Sequence, residues 1–578
     1  MIDLPVGSVF FFGAFLIPLL QGNLRKAYLL LLPAVAFVDL VNMPRGAGYV
    51  VDFIGLDLIF GRADSLSMVF GYVFVIMAFI GNLYALHVKE SGQHMAAMLY
   101  VGSSLGVVFS GDYLSLFIFW ELMAVSSVWL IWFRGREASL KAGFRYLMVH
   151  IFGGVCLLGG IILLYKGTGS LLFGQMDVEH LGLASYLILI GFMLNAAVPP
   201  LHAWLSDAYP EATVTGTVFL SAFTTKTAVY VLLRAFPGTE VLIWLGAIMA
   251  VYGVIFAVLE NDIRRLLAYH IISQVGYMVC GVGLGTMMAV NGSASHAFTH
   301  ILYKGLLMMG AGAVLYTTGK SKLTELGGLY KKMPLTFILY MVGGFSISAF
   351  PLFSGFVSKS MVIAASAGEH MAPVWLMLTL ASAGTFLHTG LKLPYFTFFG
   401  KDSGMDAREP PRNMLLAMGL AAFLCIFIGV YPQALYDILP YPVDFVPYTA
   451  EHVVWTLQIL LFTALGFFLL LKEARPYPTI TLDTDWFYRK GAGWFMWFIN
   501  NPLAELGDKI AQAGSSLFTA LLWFSRNPLA AIKVLWGMER KDRYPDIPQY
   551  LEVVSSNASL VLIFLSLCIS VFFVGGGL

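Results

Sequence analysis

Apolar runs of roughly 20 residues recur along nearly the whole 578-residue chain, separated by short stretches that hold charges, prolines or glycines. At 1.5 Å of helix rise per residue, a run of about 20 crosses the ~30 Å hydrocarbon core of a bilayer. The pattern predicts about sixteen spans, near 5–21, 27–43, 65–87, 94–110, 112–133, 143–165, 183–205, 213–235, 241–259, 263–288, 293–317, 333–368 (long and broken), 374–399, 413–432, 452–472 and 556–575. Helix is expected throughout, because an open sheet edge has no hydrogen-bond partners in lipid. Composition agrees: 59% of residues are hydrophobic and 12% charged, with a mean hydropathy of +0.80. That is half the ~25% charged share of a soluble domain. Met1-Ile2-Asp3-Leu4 brings no basic region ahead of the first run, which therefore reads as a membrane helix and not as a cleaved signal peptide.

Basic residues divide the connections into two classes. Odd-numbered loops hold Arg25, Lys26, Lys89, Arg134, Arg136, Lys141, Arg264, Arg265, Lys320, Lys322, Lys331, Lys332, Lys401, Arg408, Arg412, Lys472 and Arg475; even-numbered loops hold only Arg45, Arg62, Lys166 and Arg234. The positive-inside rule makes the odd loops cytoplasmic and both termini external, in the cell membrane of a prokaryote. Five regions are expected: N-terminal helices over 1–93, a core over 94–400, peripheral helices over 401–472, a segment over 473–555 and a last span over 556–578. Residues 473–555 carry more charge and Pro476, Pro478, Pro502, Pro528 and Pro545, and mix aromatic with basic side chains. That mixture suits helices lying along the cytoplasmic interface, and the prolines argue against one straight rod. A loosely ordered linker is the bland alternative.

The net charge of +1 offers no basic surface for nucleic acid. Cys156, Cys280, Cys425 and Cys568 stand singly in apolar segments, so metal, iron–sulfur and disulfide chemistry find no support. No phosphate loop or dinucleotide fingerprint appears, and no cofactor is expected. Any electrons handled by a larger assembly pass through other subunits, which leaves membership of an enzyme open.

A charge at mid-bilayer is costly, so each ionisable group inside a span is a functional candidate. Glu121 lies mid-span in Phe119-Trp120-Glu121, and Lys226 in Phe223-Thr224-Thr225-Lys226. Their bland readings are a carboxylate bonded within its helix and a snorkelling lysine. His296, His300 and Lys304 recur at i, i+4 and i+8, roughly on one face, as a stepwise relay requires. Histidines at i, i+4 can also bind zinc, but that span holds no carboxylate or cysteine to complete a site. Lys359 follows the interrupted stretch Phe350-Pro351-Leu352-Phe353-Ser354-Gly355, and a second interruption stands at Pro199-Pro200. Broken spans in two halves of a chain point to an inverted repeat with ion sites at the breaks, against a plain proline kink. His388 and Lys392 form an i, i+4 pair, while His270 and His150 are single buried histidines, more often satisfied core residues.

These residues carry a resemblance. Phe119-Trp120-Glu121, Pro200-Leu201-His202-Ala203-Trp204-Leu205 running to Glu211-Ala212-Thr213 and Lys226, Asp262-Ile263-Arg264-Arg265-Leu266-Leu267-Ala268-Tyr269, the His296–His300–Lys304 ladder and Ser354-Gly355-Phe356-Val357-Ser358-Lys359 stand in order over residues 60–400. The chain thereby resembles the antiporter-like membrane subunits shared by respiratory complex I (NADH:quinone oxidoreductase), membrane-bound hydrogenases and Mrp-type sodium/proton antiporters. His270 after Ala268-Tyr269, followed by Ser273-Gln274, is most similar to the D-type subunits of Mrp antiporters. The resemblance implies fourteen core helices with two inverted five-helix repeats, each with a broken helix. It gives Glu121 the role of charge partner in a first half-channel, Lys226 and the histidine ladder the central relay, and Lys359 the exit side. It also implies membrane-subunit partners, with 473–555 as a brace, and protons, with sodium as a further candidate, as the transported ions. In one position the chain departs from the family: Asn195 stands where a lysine normally pairs with the span-five glutamate. An amide carries no charge, so His150 is the expected substitute base. The alternative is an assembly subunit with lost or reduced transport.

Overall fold

The computed structural model describes residues 5–478, 482–526 and 528–538. The predicted last span, with Cys568, lies outside the described residues. The chain divides into two compact units, 1–485 and 486–578.

The first unit is a helical membrane body. Among the described residues ten helices are long and apolar enough to cross a bilayer, and shorter apolar helices run over Val6–Leu19, Leu183–Asn195 and Pro334–Ile347. Each of the first fifteen predicted spans coincides with helix. α1 (Val6–Leu16), α2 (Gly22–Asn42) and α3 (Ser65–Ala85) lead into α4 (Ser91–Phe109), α5 (Tyr113–Trp132) and α6 (Glu137–Thr168). One interruption of helix is a two-stranded antiparallel hairpin, β1 (Gly46–Phe53) and β2 (Leu56–Ala63), in the second connection. Its turn is Ile54-Gly55, both at positive φ (56° and 76°), the geometry of a tight hairpin turn. The all-helical expectation overlooked it because Val50-Val51 and Leu58-Ile59-Phe60 form runs too short to read as spans.

Two spans break where prolines stand. α7 (Leu183–Asn195) stops before Pro199-Pro200 and resumes as α8 (Ala203–Ala208); α14 (Pro334–Ile347) stops before Pro351 and resumes as α15 (Ser354–Gly368). Both stops use one device. Ala197 and Ala349 each take φ +57°. Ala197 N–H donates to Leu194 and Val198 N–H to Met193, as Ala349 donates to Ser346 and Phe350 to Phe345. This is the Schellman pattern of helix termination, with alanine at the left-handed position usually given to glycine. A third span breaks with no proline: α9 (Val214–Ala222) gives way to α10 (Thr224–Ala235) at Phe223.

The halves repeat in finer detail, at an interval of 150 residues. Asp112 and Asp262 cap the N-termini of α5 and α12 (Ile263–Leu284). Tyr113 and Ile263 then donate to the carbonyls of Leu171 and Ser321. α6 and α13 (Met287–Thr318) are both 32 residues long and both end on a left-handed glycine, Gly169 and Gly319. α12 is the fifth span after α5, with α6, α7–α8, α9–α10 and α11 (Glu240–Leu259) between them. An odd interval reverses direction across a bilayer, so the repeat is inverted. α16 (Ala372–Thr385) closes the second repeat and continues through two π-helical stretches, Phe386–Lys392 and Tyr395–Phe399; α17 (Arg412–Val430), α18 (Gln433–Tyr436) and α19 (Ala450–Leu469) follow.

In the second unit, α20 (Asp485–Phe498) passes into α21 (Ala504–Arg526) through a π turn, Ile499–Leu503, that contains Pro502. The wider turn absorbs the proline that would otherwise end the helix. α22 (Pro528–Leu535) begins at the next proline.

Candidate functional site

Glu121 projects from α5 onto α6, where a Cβ on Gly154 would stand 1.8 Å from its Oε1. Glycine is therefore what makes room for the carboxyl group. Oε1 is buried and takes no protein hydrogen bond among the described residues. One turn earlier on α6, buried His150 sits between the rings of Tyr146 and Trp204, with centroids at 4.1 and 4.5 Å. Its Nδ1 lies 2.8 Å from Oδ1 of Asn195, at the last residue of α7. An imidazole that donates through Nδ1 keeps Nε2 as a free base, and Nε2 has no protein partner among the described residues. The Asn195 amide thus orients a histidine. His150 and Glu121 share the α5–α6 face without a direct hydrogen bond to Oε1.

Three of the four buried lysines deeper in the chain follow one rule. Lys226, fully buried in the first turn of α10, donates 2.6 Å to the Ser221 carbonyl at the end of α9, and 3.1 Å to Thr225 Oγ1. Lys359 of α15 donates 2.6 Å to the Ile347 carbonyl, the last residue of α14, and lies 5.3 Å from the Tyr277 ring centroid. Lys392 donates 2.5 Å to the Val258 carbonyl and 3.4 Å to that of Glu260, at the end of α11. Each ammonium therefore meets carbonyls that a helix end leaves unpaired, at the negative pole of the helix dipole. Breaking a helix creates a cation site without spending a carboxylate.

Between these lysines runs α13. His296, His300 and Lys304 are all fully buried. His296 Nδ1 lies 3.2 Å from Ser358 Oγ on α15, the residue next to Lys359. Both ring nitrogens of His300 and the Lys304 ammonium take no protein partner among the described residues. Lys226 is within electrostatic reach of Lys304, His300 and His296, and Lys359 of His296 and His300. A side branch leaves through His270, whose Nε2 is 3.1 Å from His388 Nδ1 and also contacts Thr389 Oγ1; Lys392 stands one turn beyond. Beside Lys359 a cavity of about 470 Å³ is walled by Phe356, Trp375, Trp455 and Ile459 and carries Glu451 and His452 on its lining.

The candidate residues thus fall into a first cluster (Glu121, His150, Asn195), a central line (Lys226, Lys304, His300, His296, Lys359) and a branch (His270, His388, Lys392). Sequence reading missed Gly154, Tyr277, Glu451, His452 and Asp483, and held Ser358 only as part of the motif that runs to Lys359. Gly154 left a trace as half of a Gly153-Gly154 pair.

Residues 110–387 match the family described as NADH:quinone oxidoreductase/Mrp antiporter, transmembrane. An uncharacterised protein of Methanocaldococcus jannaschii is 30% identical over 355 residues, which cover 57% of this chain and 73% of that one. The chain belongs to this family. The D-type subunit of the Na(+)/H(+) antiporter of Alkalihalophilus pseudofirmus is 29% identical over 355 residues, 57% of this chain and 71% of its own. Hydrogenase-4 component B of Escherichia coli is 28% identical over 415 residues, 64% of this chain but only 62% of its own length. Among solved structures, that of the membrane-bound sulfane sulfur reductase, an archaeal respiratory membrane complex, has a chain of the same fold, with a TM-score of 0.72, 24% identity, and coverage of 98% of this chain and 100% of that one. The chain is a polytopic membrane protein of a fold that works within multi-subunit membrane complexes.

Proposed function

We propose that the chain moves protons through the membrane as one subunit of an ion-pumping complex, handing them from Glu121 and His150 to Lys226, along Lys304, His300 and His296, and out by Lys359. One observation supports this most: five fully buried ionisable groups stand in succession, and His300 and Lys304 keep every side-chain nitrogen free of protein partners among the described residues. Idle buried ions are costly, and a histidine or lysine nitrogen without a fixed partner is free to give and take a proton. Protonation of one lysine repels a proton from its neighbour, so charge passes along the line as a sequence of linked shifts. The membrane potential contributes roughly 2.3 kcal/mol per charge per 100 mV, comparable to one or two pK units of coupling. On this reading the cavity beside Lys359 is the release side, the odd-numbered loops are cytoplasmic, and the second unit braces neighbouring membrane subunits.

Proton uptake by liposomes that hold the purified complex tests the reading. Wild type is expected to move protons in step with the complex's driving reaction. His150→Ala and Glu121→Ala are each expected to slow it roughly tenfold, less than the hundredfold or more lost with an essential proton-transfer group, and the double variant to be no slower than either single one. No proton movement by wild type overturns the reading. Wild-type rates in both single variants overturn the entry pair and favour the assembly-subunit alternative that Asn195 raises.

A further inference from the structure

His202 stands in the interruption between α7 and α8 and has no part in the proton line. Its Nε2 donates 3.0 Å to Oδ1 of Asp483, with the two side chains 0% and 3% exposed. Tyr252 of α11 donates to the same oxygen at 2.6 Å, and Tyr269 of α12 to Oδ2 at 2.7 Å. Ser206 of α8 reaches Oδ2 at 3.5 Å, and Thr484 Oγ1 donates to the Pro200 carbonyl at 3.3 Å. His202 and Ser206 belong to the first repeat, Tyr252 and Tyr269 to the second. Tyr269 directly precedes His270 of the side branch. Asp483 is thus a single carboxylate that ties the first break to the second repeat, two residues before α20 begins.

We propose that Asp483 is a catch: a positioning residue that holds the first break against the second repeat and through which the C-terminal segment regulates proton transfer, a role that rests on the proton-moving reading above. Asp483 is not itself a carrier. Burial pushes its carboxyl upward, but the hydrogen bond and charge of His202, joined by Tyr252 and Tyr269, prevail and hold it below the usual carboxylate range. A carboxyl so depressed contributes its stabilisation above the ordinary carboxylate pKa of about 4 and loses it only as pH falls through the lowered value. The other charged groups nearby are Arg265 on α12, whose Nε donates to the Ser206 carbonyl at 3.1 Å, Asp207 on α8, which pairs with Arg145, and Asp485 beside Tyr252. The catch therefore stays closed at neutral and mildly acid pH. It opens when the chain leading into α20 is displaced, and His202, Tyr252 and Tyr269 then lose their common acceptor.

The test uses the intact complex carrying Asp483→Asn, Asp483→Glu, His202→Gln or the Asn/Gln double change. Two quantities are read: amide hydrogen exchange over residues 196–206, and proton uptake per assembled complex in liposomes. Asp483→Asn keeps the side-chain shape and removes the charge. It is expected to speed exchange about tenfold and slow uptake about tenfold, with most of both recovered in Asp483→Glu and no further loss in the double variant. Should Asp483→Asn fail to assemble, Tyr269→Phe removes one donor and is expected to speed exchange over the same residues. Unchanged exchange in the variant that assembles, or Asp483→Glu no better than Asp483→Asn, overturns the catch. A wild-type complex that moves no protons overturns the proton-moving reading instead, which the exchange measurement does not depend on.

Discussion

Gly355→Ala is expected to destabilise the protein by at least about 3 kcal/mol, the upper end for overpacking a tight site. A Cβ there would stand 1.8 Å from the Ser346 carbonyl oxygen and 2.8 Å from its carbon. Both are backbone atoms at the end of α14, so no side chain can turn aside. Relief requires α15 to move away from α14, and that opens the break that presents the Ile347 carbonyl to Lys359. Stability and transport are therefore expected to fall together. Thermal unfolding of the purified complex measures the first, and proton uptake by liposomes the second. Gly419→Ala on α17, where an added Cβ meets nothing within 4 Å, is the control expected to leave transport unchanged and stability no lower, since alanine suits a helix interior better than glycine.

Lys226→Ala is expected to slow proton transport on the order of 100-fold while the complex still assembles, as for an essential proton-transfer group. Lys226 lies within electrostatic reach of Lys304, His300 and His296 on α13, and its loss leaves a gap that no other ionisable side chain in the α9–α10 break fills. Lys226→Arg separates transfer from simple charge. Guanidinium keeps the cation on the Ser221 carbonyl but does not release a proton at working pH. Arginine is therefore expected to assemble like wild type and transport as poorly as alanine. Transport restored by arginine would mean that Lys226 serves as a fixed charge. A pH-sensitive dye trapped in the liposomes reads both variants.

The spans were legible because an apolar run long enough to cross lipid is rarely anything but a membrane helix, and prolines marked two of the three breaks. The third lies in Ser221-Ala222-Phe223-Thr224-Thr225, which holds neither proline nor glycine. There Tyr100 stabilises the interruption, its hydroxyl accepting from the Thr224 amide at 2.9 Å, a contact across 124 residues that no local pattern reveals. The hairpin over 46–63 hid in runs too short to count, and the π-helical stretches of the thirteenth span left no signal of their own. In the candidate site, residue types in the spans were readable, because a lysine or histidine in an apolar run stands out. Their partners were not. Lys226, Lys359 and Lys392 sit on backbone carbonyls, which every sequence position possesses, and only the fold shows which carbonyls are free. Asp483 lies in an ordinary polar stretch and acquires its meaning from His202, 281 residues away.

The central claim, that the buried line changes protonation during turnover, is tested most directly by infrared difference spectroscopy of the working complex with isotope-labelled histidine. Imidazole bands that appear on turnover and vanish in His300→Ala are the predicted result. A turning-over, proton-moving complex with no histidine signal in either protein would contradict the account and send the protons by another route.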